Sequence, residues 1–427
     1  MKIKVINADY EEIISKPRGK HKRPKKPNMF FRALMRVVAA PDLRKTKFKV
    51  KRVGMERLPK GEPAFYLMNH SAFIDMEIVA RVLYPRPFNI VTTTDAFVGK
   101  DLLLRQIGCI PTKKFVHDPS LIRDIIHAVK KLKSNVVLFP EAGYSFDGTS
   151  TTLPDTLGKM VKMLGAPLVM IRTYGAFLRD PLYNNLQLRD VKVSATEEFL
   201  LSSEEIANMS EADIHKIILE KFTFDNFAWQ KENGVVIDEP TRADYLNRVL
   251  YKCPRCGCEG KMLGKGTDIT CSECGLSHTL TELGELVGNG GDTYFSSIPE
   301  WYAWERECVR KEILAGTYSL DLPVDILMAI DTKKVYRVGE GRLTHGISGF
   351  KLTGCDGKLN YEHKPLSSYS ICADFNWYEI GDVISFGNHD ALYYCFPRTE
   401  GDVVAKARLA AEEIYKILMA EKHKSNE

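Results

Sequence analysis

The sequence predicts an α/β fold class: a mostly parallel sheet with flanking helices, joined to a zinc ribbon and to a β-rich C-terminal domain closed by one helix. Three observations carry that prediction. Strand-length apolar runs alternate with amphipathic helix-length runs between about residues 64 and 173. Two Cys-x2-Cys pairs crowd into residues 253–274. Beyond about residue 285, short apolar runs are separated by Gly, Asp and Asn turns. The 427 residues therefore divide into a basic arm (1–27), an α/β domain (28–235), a metal unit (250–280) and a β-rich domain with a terminal helix (285–427).

Each element has a local reason. The arm ends in KPRGKHKRPKKP, whose prolines and repelling charges predict an extended, mobile segment. NMFFRALMRVVAAP follows, with Phe30, Phe31, Leu34, Val37 and Val38 at helical spacing; this predicts a short amphipathic helix that ends before Pro41. Ala64–Met68 reads as a buried strand, Asp75–Leu83 as a helix and Phe88–Thr92 as a strand. Asp118–Leu132 reads as a helix capped by Ser120, with Ile122, Ile125, Ile126 and Val129 on its apolar face. Strand Asn135–Phe139, helix Thr156–Leu164 and strand Pro167–Thr173 continue the alternation. Ser202 and Glu205 form a capping box for helices reaching about Trp229. In the last domain Lys334–Arg337, Ser367–Cys372, Val383–Phe386 and Ala391–Phe396 read as strands. Val404, Ala407, Ala411, Ile414 and Leu418 give the closing helix Val403–Ala420 its stripe.

Charge is unevenly placed. Residues 16–52 hold fifteen basic side chains and one acid, Asp42, so that segment is +14 within a chain of net +5, and the remaining 390 residues sum to −9. No apolar run approaches the roughly 18–20 residues needed to span a bilayer. The first residues, MKIKVINADYEEII, lack the apolar core and cleavage site of a secretory signal. Ten cysteines without an export signal argue for a metal rather than a disulfide framework. The expected compartment is the cytoplasm.

One block carries a candidate catalytic pair. Asn69-His70-Ser71-Ala72-Phe73-Ile74-Asp75 lies between a buried strand and a helix, and a strand end is an exposed place for a general base. Histidine can accept a proton near neutrality, and a carboxylate on its far ring nitrogen would fix the tautomer. Five residues along a helix are about 140° off one face, so the pair must be joined by a turn. Spacing alone leaves open a capping Asp beside a surface His. Phe139-Pro140-Glu141-Ala142-Gly143-Tyr144-Ser145 follows the next strand but one; its Pro and Gly force a tight loop that aims Glu141 at the crevice, or leaves it an ordinary loop Glu. Ile107-Gly108-Cys109-Ile110-Pro111-Thr112-Lys113-Lys114 ends in two cations. They are either a solvated surface or, beside a crevice, a site for an anionic substrate.

The order and separation of these blocks resemble the glycerophospholipid acyltransferase family, typified by 1-acyl-sn-glycerol-3-phosphate acyltransferase, over about residues 30–230. The family's first block matches at Asn69, His70 and Asp75. Gly108 and Ile110 match the second, where the family Arg falls on Lys114. Phe139, Pro140 and Glu141 match the third, but Ala142 replaces its Gly and the following Arg is missing; Pro167 starts the fourth, with Met170 in place of a second proline. The resemblance implies an acyltransferase-like α/β domain and an O-acyltransferase. In it His70 deprotonates a glycerol hydroxyl, Asp75 orients His70, and the hydroxyl attacks the thioester of acyl-CoA or acyl-carrier protein without a covalent acyl-enzyme. It further implies a substrate-binding set of Asn69, Gly108, Lys113, Lys114 and Glu141, with Glu141 positioning a lysophospholipid acceptor and Lys114 pairing with its phosphate. Lysine lacks the bidentate fork of arginine, which makes acyl transfer firmer than the identity of the acceptor. The alternative is a non-catalytic lipid- or nucleic-acid-binding protein on the same scaffold.

Cys253, Cys256, Cys271 and Cys274 have the spacing of two zinc knuckles, each followed by glycine. Four thiolates close a Zn²⁺ site, which makes the zinc structural and the unit ribbon-like. Its basic residues, Lys252, Arg255, Lys261 and Lys265, come without an aromatic platform, so a structural staple or protein contact is expected rather than nucleic acid. The basic segment next to a Phe-rich helix instead predicts a peripheral partner, an anionic membrane surface on the inner face of the membrane. In the competing reading that helix simply packs on the acidic body.

Overall fold

The computed structural model describes residues 3–116, 118–399 and 401–424; residues 1–2 of the arm and 425–427 of the last domain lie outside them. The N-terminal segment is a strap. Its strand β1 (Val5–Asn7) pairs in parallel with a strand of the C-terminal sheet, Val5 opposite Val335. Helix α1 (Tyr10–Ile14) buries Ile13 completely. Further on, His21 meets Asp124 at 3.0 Å and the Lys25 carbonyl accepts from Asn89. The predicted mobile arm is thus pinned, because Ile13 is buried, Val5 and Ile6 are half-buried against the C-terminal domain, and its polar groups find partners on both large domains.

Helix α2 (Met29–Lys45) runs straight through Pro41, contrary to the predicted stop. The carbonyl that Pro41 leaves open belongs to Val37, a residue 66% exposed, so water can satisfy it. There follow β2 (Lys49–Val53), β3 (Phe65–Met68), α3 (Asp75–Leu83), β4 (Phe88–Thr93), α4 (Asp101–Gln106), β5 (Cys109–Thr112), α5 (Pro119–Lys130), β6 (Asn135–Leu138), α6 (Leu157–Leu164), β7 (Leu168–Tyr174), α7 (Ala176–Arg179) and β8 (Ser194–Leu201). The cap of α5 is Asp118, which accepts the Ser120 N–H, with Pro119 at the first turn; Ser120 itself is not the cap. Three helices complete the domain: α8 (Ser203–Asn208), α9 (Glu211–Phe222) and α10 (Asn226–Glu232). Ser202 and Glu205 form the expected capping box.

The seven strands lie in the order β2-β8-β7-β3-β6-β4-β5, parallel in every pair except β7–β8. The sheet is mostly parallel, as predicted. Strand β3 is buried on both faces: Phe65 and Leu67 pack with the α5–α6 side, Tyr66 and Met68 with the α3 side. Parallel order places the C-terminal ends of β3, β6, β4 and β5 in one row, where ligands of such sheets sit.

The small unit is a four-stranded antiparallel sheet: β9 (Met262–Lys265), β10 (Asp268–Cys271), β11 (Ser277–Leu280) and β12 (Leu286–Gly288). Helix α11 (Ile298–Leu314) comes next, within a stretch predicted to be strand-like throughout. Ser297 caps it, Pro299 sits in its first turn, and Ile298, Trp301, Tyr302, Val309 and Ile313 form a buried helical stripe. That signal was in the sequence, masked by the strands on either side. The last sheet is antiparallel apart from the β1 pairing and comprises β13 (Leu320–Ala329), β14 (Val335–Gly346), β15 (Gly349–Gly354), β16 (Leu359–His363), β17 (Cys372–Trp377), β18 (Gly381–Gly387) and β19 (Leu392–Pro397), closed by α12 (Val404–Lys424). The predicted strand Ser367–Cys372 is instead a turn of 3-10 helix over Pro365–Ser367, and β17 begins only at Cys372. One continuous core joins the four-stranded unit, α11, the C-terminal sheet and α12 to Phe146 and Phe177 of the α/β domain.

Candidate active site

His70 and Asp75 meet at the end of β3. Asp75 is the first residue of α3, and its side chain turns back over the preceding turn instead of pointing along the helix. Its Oδ2 accepts the backbone N–H groups of Ser71 and Ala72, at 2.8 and 3.1 Å, and lies 3.0 Å from His70 Nδ1. The turn removes the angular mismatch that a continuous helix would impose. A buried carboxylate on Nδ1 assigns the proton there and leaves Nε2, which has no protein partner among the described residues, with its lone pair outward. The His70 side chain is 22% exposed. Its ring lies between Phe139, centroids 4.2 Å apart, and Tyr144, 4.3 Å apart. Burial in this sandwich lowers the His70 pKa below its ordinary value against the pull of Asp75, with Lys114 adding to the depression. The imidazole is therefore neutral and basic at pH 7. Phe139 enters the sequence reading only as a block match with no role at His70, and Tyr144 only as a member of the block that holds Glu141.

Glu141 is 3% exposed, and both its oxygens face the chain. Oε2 accepts the His70 N–H at 2.8 Å; Oε1 accepts the Thr151 N–H at 2.9 Å. Burial pushes its pKa up to about 7 against these hydrogen bonds. Asn69 ties strand ends together: its oxygen accepts the Thr173 N–H, and its amide reaches Ser71 and Thr173 hydroxyls. Gly108 is a backbone requirement, at φ +95° with Phe88 O only 2.7 Å from where a Cβ would stand. The structure thus places Asn69 and Glu141 in the framework around His70, whereas Gly108, beside Phe88 and Pro27 at the N-terminal start of β5, lies at the opposite end of the strands.

Lys113 donates to the His389 carbonyl of the C-terminal sheet. Lys114 is half-buried and close enough to His70 to influence it. Burial works against its charge, but the fields of Cys372, Asp374 and Asp95 raise its pKa, so it remains a cation. No hydrogen-bond or ion-pair partner holds it among the described residues. Arg172, on β7, lies over the Phe224 ring at 5.6 Å. Phe73, 62% exposed, stands edge-on to Tyr144 at the mouth of the site.

The cysteine cluster is a second candidate centre. The four Sγ atoms of Cys253, Cys256, Cys271 and Cys274 lie within 4.8 Å of one another. Cys253–Cys274 and Cys256–Cys271 are 3.6 and 3.8 Å apart, matching the edge of about 3.8 Å for a tetrahedron with Zn–S bonds of about 2.3 Å. Gly257 and Gly275, at φ +75° and +71°, return their N–H groups to the Cys253 and Cys271 carbonyls and so close the two knuckles. The cluster can hold a metal. Cys258 is outside it, and His278 is a buried core residue against Trp301.

Residues 49–173 match the family model described as Acyltransferase. The match contains all the sequence blocks around His70 and covers under a third of the chain; the cysteine unit and the antiparallel sheet lie outside it. No curated protein matches the chain. Among solved structures, the 1-acyl-sn-glycerophosphate (LPA) acyltransferase PlsC from Thermotoga maritima is similar at 16% identity and a TM-score of 0.35, over 45% of this chain and 76% of that one. No helix among the described residues is long and apolar enough to cross a membrane.

Proposed function

We propose that the acyltransferase-family domain at residues 49–173 moves a fatty acyl group from acyl-CoA or acyl-carrier protein to the hydroxyl of a lysophospholipid. The observation that carries this reading is the His70–Asp75 pair on a partly exposed imidazole whose Nε2 has no protein partner among the described residues. Nε2 takes the proton of the acceptor hydroxyl as its oxygen attacks the thioester carbonyl. The C–S bond then breaks, and the thiolate leaves and is protonated. Asp75 stabilises the imidazolium formed on the way. Lys114, a cation beside His70 with no hydrogen-bond or ion-pair partner among the described residues, supplies a contact for the acceptor's phosphate, and exposed Phe73 offers apolar surface for its chain. The framework bonds of Asn69 and Glu141 support a positioning role for both. Transfer of radiolabelled acyl groups from each donor to a panel of lysolipids tests the reading. A labelled diacyl product is expected, and no product from any donor and acceptor pair contradicts it.

Zn²⁺ is the metal proposed for Cys253, Cys256, Cys271 and Cys274, on the tetrahedral fit of their sulfurs. The set has no open position, so its chemistry is structural.

An anionic membrane is the proposed partner of α2. Arg36, Arg44, Lys47, Lys49 and Arg81 line a cleft of about 510 Å³ with an apolar floor that includes Val37 and Phe48. Among the described residues, no acidic side chain lines it. It lies toward the far end of α3 from His70, and Phe30, Val37 and Val38 are each 66% exposed nearby on α2. A basic residue at an anionic surface contributes about 1 kcal/mol. Reversing Arg44, Lys47 and Lys49 to Glu should therefore weaken binding to phosphatidylglycerol vesicles by at least about 100-fold. Cosedimentation equal to that of the unmodified protein would remove the membrane from the account.

A further inference from the structure

We propose that the C-terminal domain is part of the catalytic centre: Tyr369, Phe375 and Arg408 clamp the loop Pro140–Phe146, and through it they position His70. The proposal rests on the acyl-transfer reading for its purpose, but its geometry stands alone.

The loop is gripped at both ends from one side. Tyr369 Oη donates to the Pro140 carbonyl at 3.2 Å, and its ring meets Phe115 edge-on. Arg408, on α12 and 5% exposed, directs Nη1 to the Tyr144 carbonyl at 3.5 Å and lies over the Phe146 ring at 4.4 Å. Phe375 of β17 packs against the same Phe146 ring, centroids 4.4 Å apart. Arg408 is itself fixed. Its Nε donates to Glu412 at 3.1 Å, and Glu412 also accepts from Arg306 at 2.8 Å and from the Ser370 hydroxyl at 2.9 Å.

Between the two grips, the loop touches His70 twice. Glu141 accepts its backbone N–H, and Tyr144 covers its ring. The loop needs outside support because Ala142 sits at φ +54°, in the left-handed region where a residue with a Cβ is disfavoured by about 1–2 kcal/mol. Such a conformation persists only where its surroundings over-determine it. The acyltransferase match ends at residue 173, so Tyr369, Phe375 and Arg408 all come from outside it. Arg408 and Tyr369 act through other groups and are positioning residues.

Two variants of the full-length protein test the clamp: Arg408→Lys, which keeps the charge but loses the planar fork, and Tyr369→Phe, which removes one hydroxyl. The groups facing the imidazole are Asp75, Lys114, Phe139 and Tyr144, and only the hold on Tyr144 and Pro140 changes. The His70 titration, followed by NMR of ¹³C-labelled histidine and assigned with His70→Gln, is expected to move up toward 6.5 in both variants as Tyr144 loosens and water reaches the ring. Acyl transfer should lose about tenfold in kcat with KM little changed. An unshifted His70 titration in folded Tyr369→Phe and folded Arg408→Lys overturns the clamp. If Arg408→Lys does not fold, Tyr369→Phe decides. The titration requires no turnover, so a protein inactive on every lysolipid would defeat the functional reading and leave this test intact.

Discussion

Replacing His70 with alanine is expected to lower acyl transfer by roughly 10²–10⁴-fold, the range for losing a positioned general base, while the protein stays folded. His70 contributes to packing only between Phe139 and Tyr144, and the backbone bond from residue 70 to Glu141 survives the substitution. Asp75→Asn should fall in the same range for a different reason. An asparagine oxygen can still accept the Ser71 and Ala72 N–H groups, which keeps the turn, but the charge that stabilises the imidazolium is gone. The pH profile follows from the same geometry. The base works when neutral, burial lowers its pKa below 6.5, and activity is therefore lost as pH falls through a value under 6.5. An acid limb above 6.5 would contradict a His70 base in this environment, and full activity in His70→Ala would exclude it altogether.

Cys271→Ser is expected to unfold far more than the small sheet that bears it. Cys253 and Cys271 are both buried, and they belong to the core that runs through Trp301 and Val309 of α11 to Ile326 of β13 and Ile414 of α12. A four-thiolate zinc site in a small peptide supplies about 10–16 kcal/mol of apparent folding free energy. Losing one ligand while leaving a disordered knuckle inside this shared core should cost about 4 kcal/mol or more, which for a unit this size means a Tm lower by about 10 °C or more. The measurement is a thermal scan beside elemental analysis of the purified protein. One equivalent of zinc in the unmodified chain and a destabilised variant are expected. A zinc-free protein with an unchanged Tm would show that the cysteines hold no structural metal.

The chemistry-bearing blocks were legible because they are local. Asn69, His70 and Asp75 lie within seven residues, and the buried strand before them could be read from its apolar run. The need for a turn between His70 and Asp75 followed from helix geometry and is met by the carboxylate turning back. The Cys-x2-Cys pairs were legible for the same reason. What escaped lies between distant parts of the chain. Arg408 and Tyr144 are 264 residues apart, and no periodicity in either segment announces their contact. The acidic surroundings of Lys114 come from Asp374 and Cys372 on β17 and Asp95 after β4, which only the folded sheet order brings together. The strap was misread because its charges and prolines dominate its composition, while Val5 and Ile13 do the packing. Helix α11 was hidden by its neighbours rather than by its own sequence.

Thiol release from the acyl donor, followed at pH 7 with and without lysolipid for the unmodified protein and for His70→Ala, tests the central claim most directly. Direct attack by an acceptor hydroxyl on a thioester requires that release depend on both the lysolipid and His70. Release at an equal rate in His70→Ala, or in the absence of any lysolipid, would contradict a His70 base acting on that acceptor.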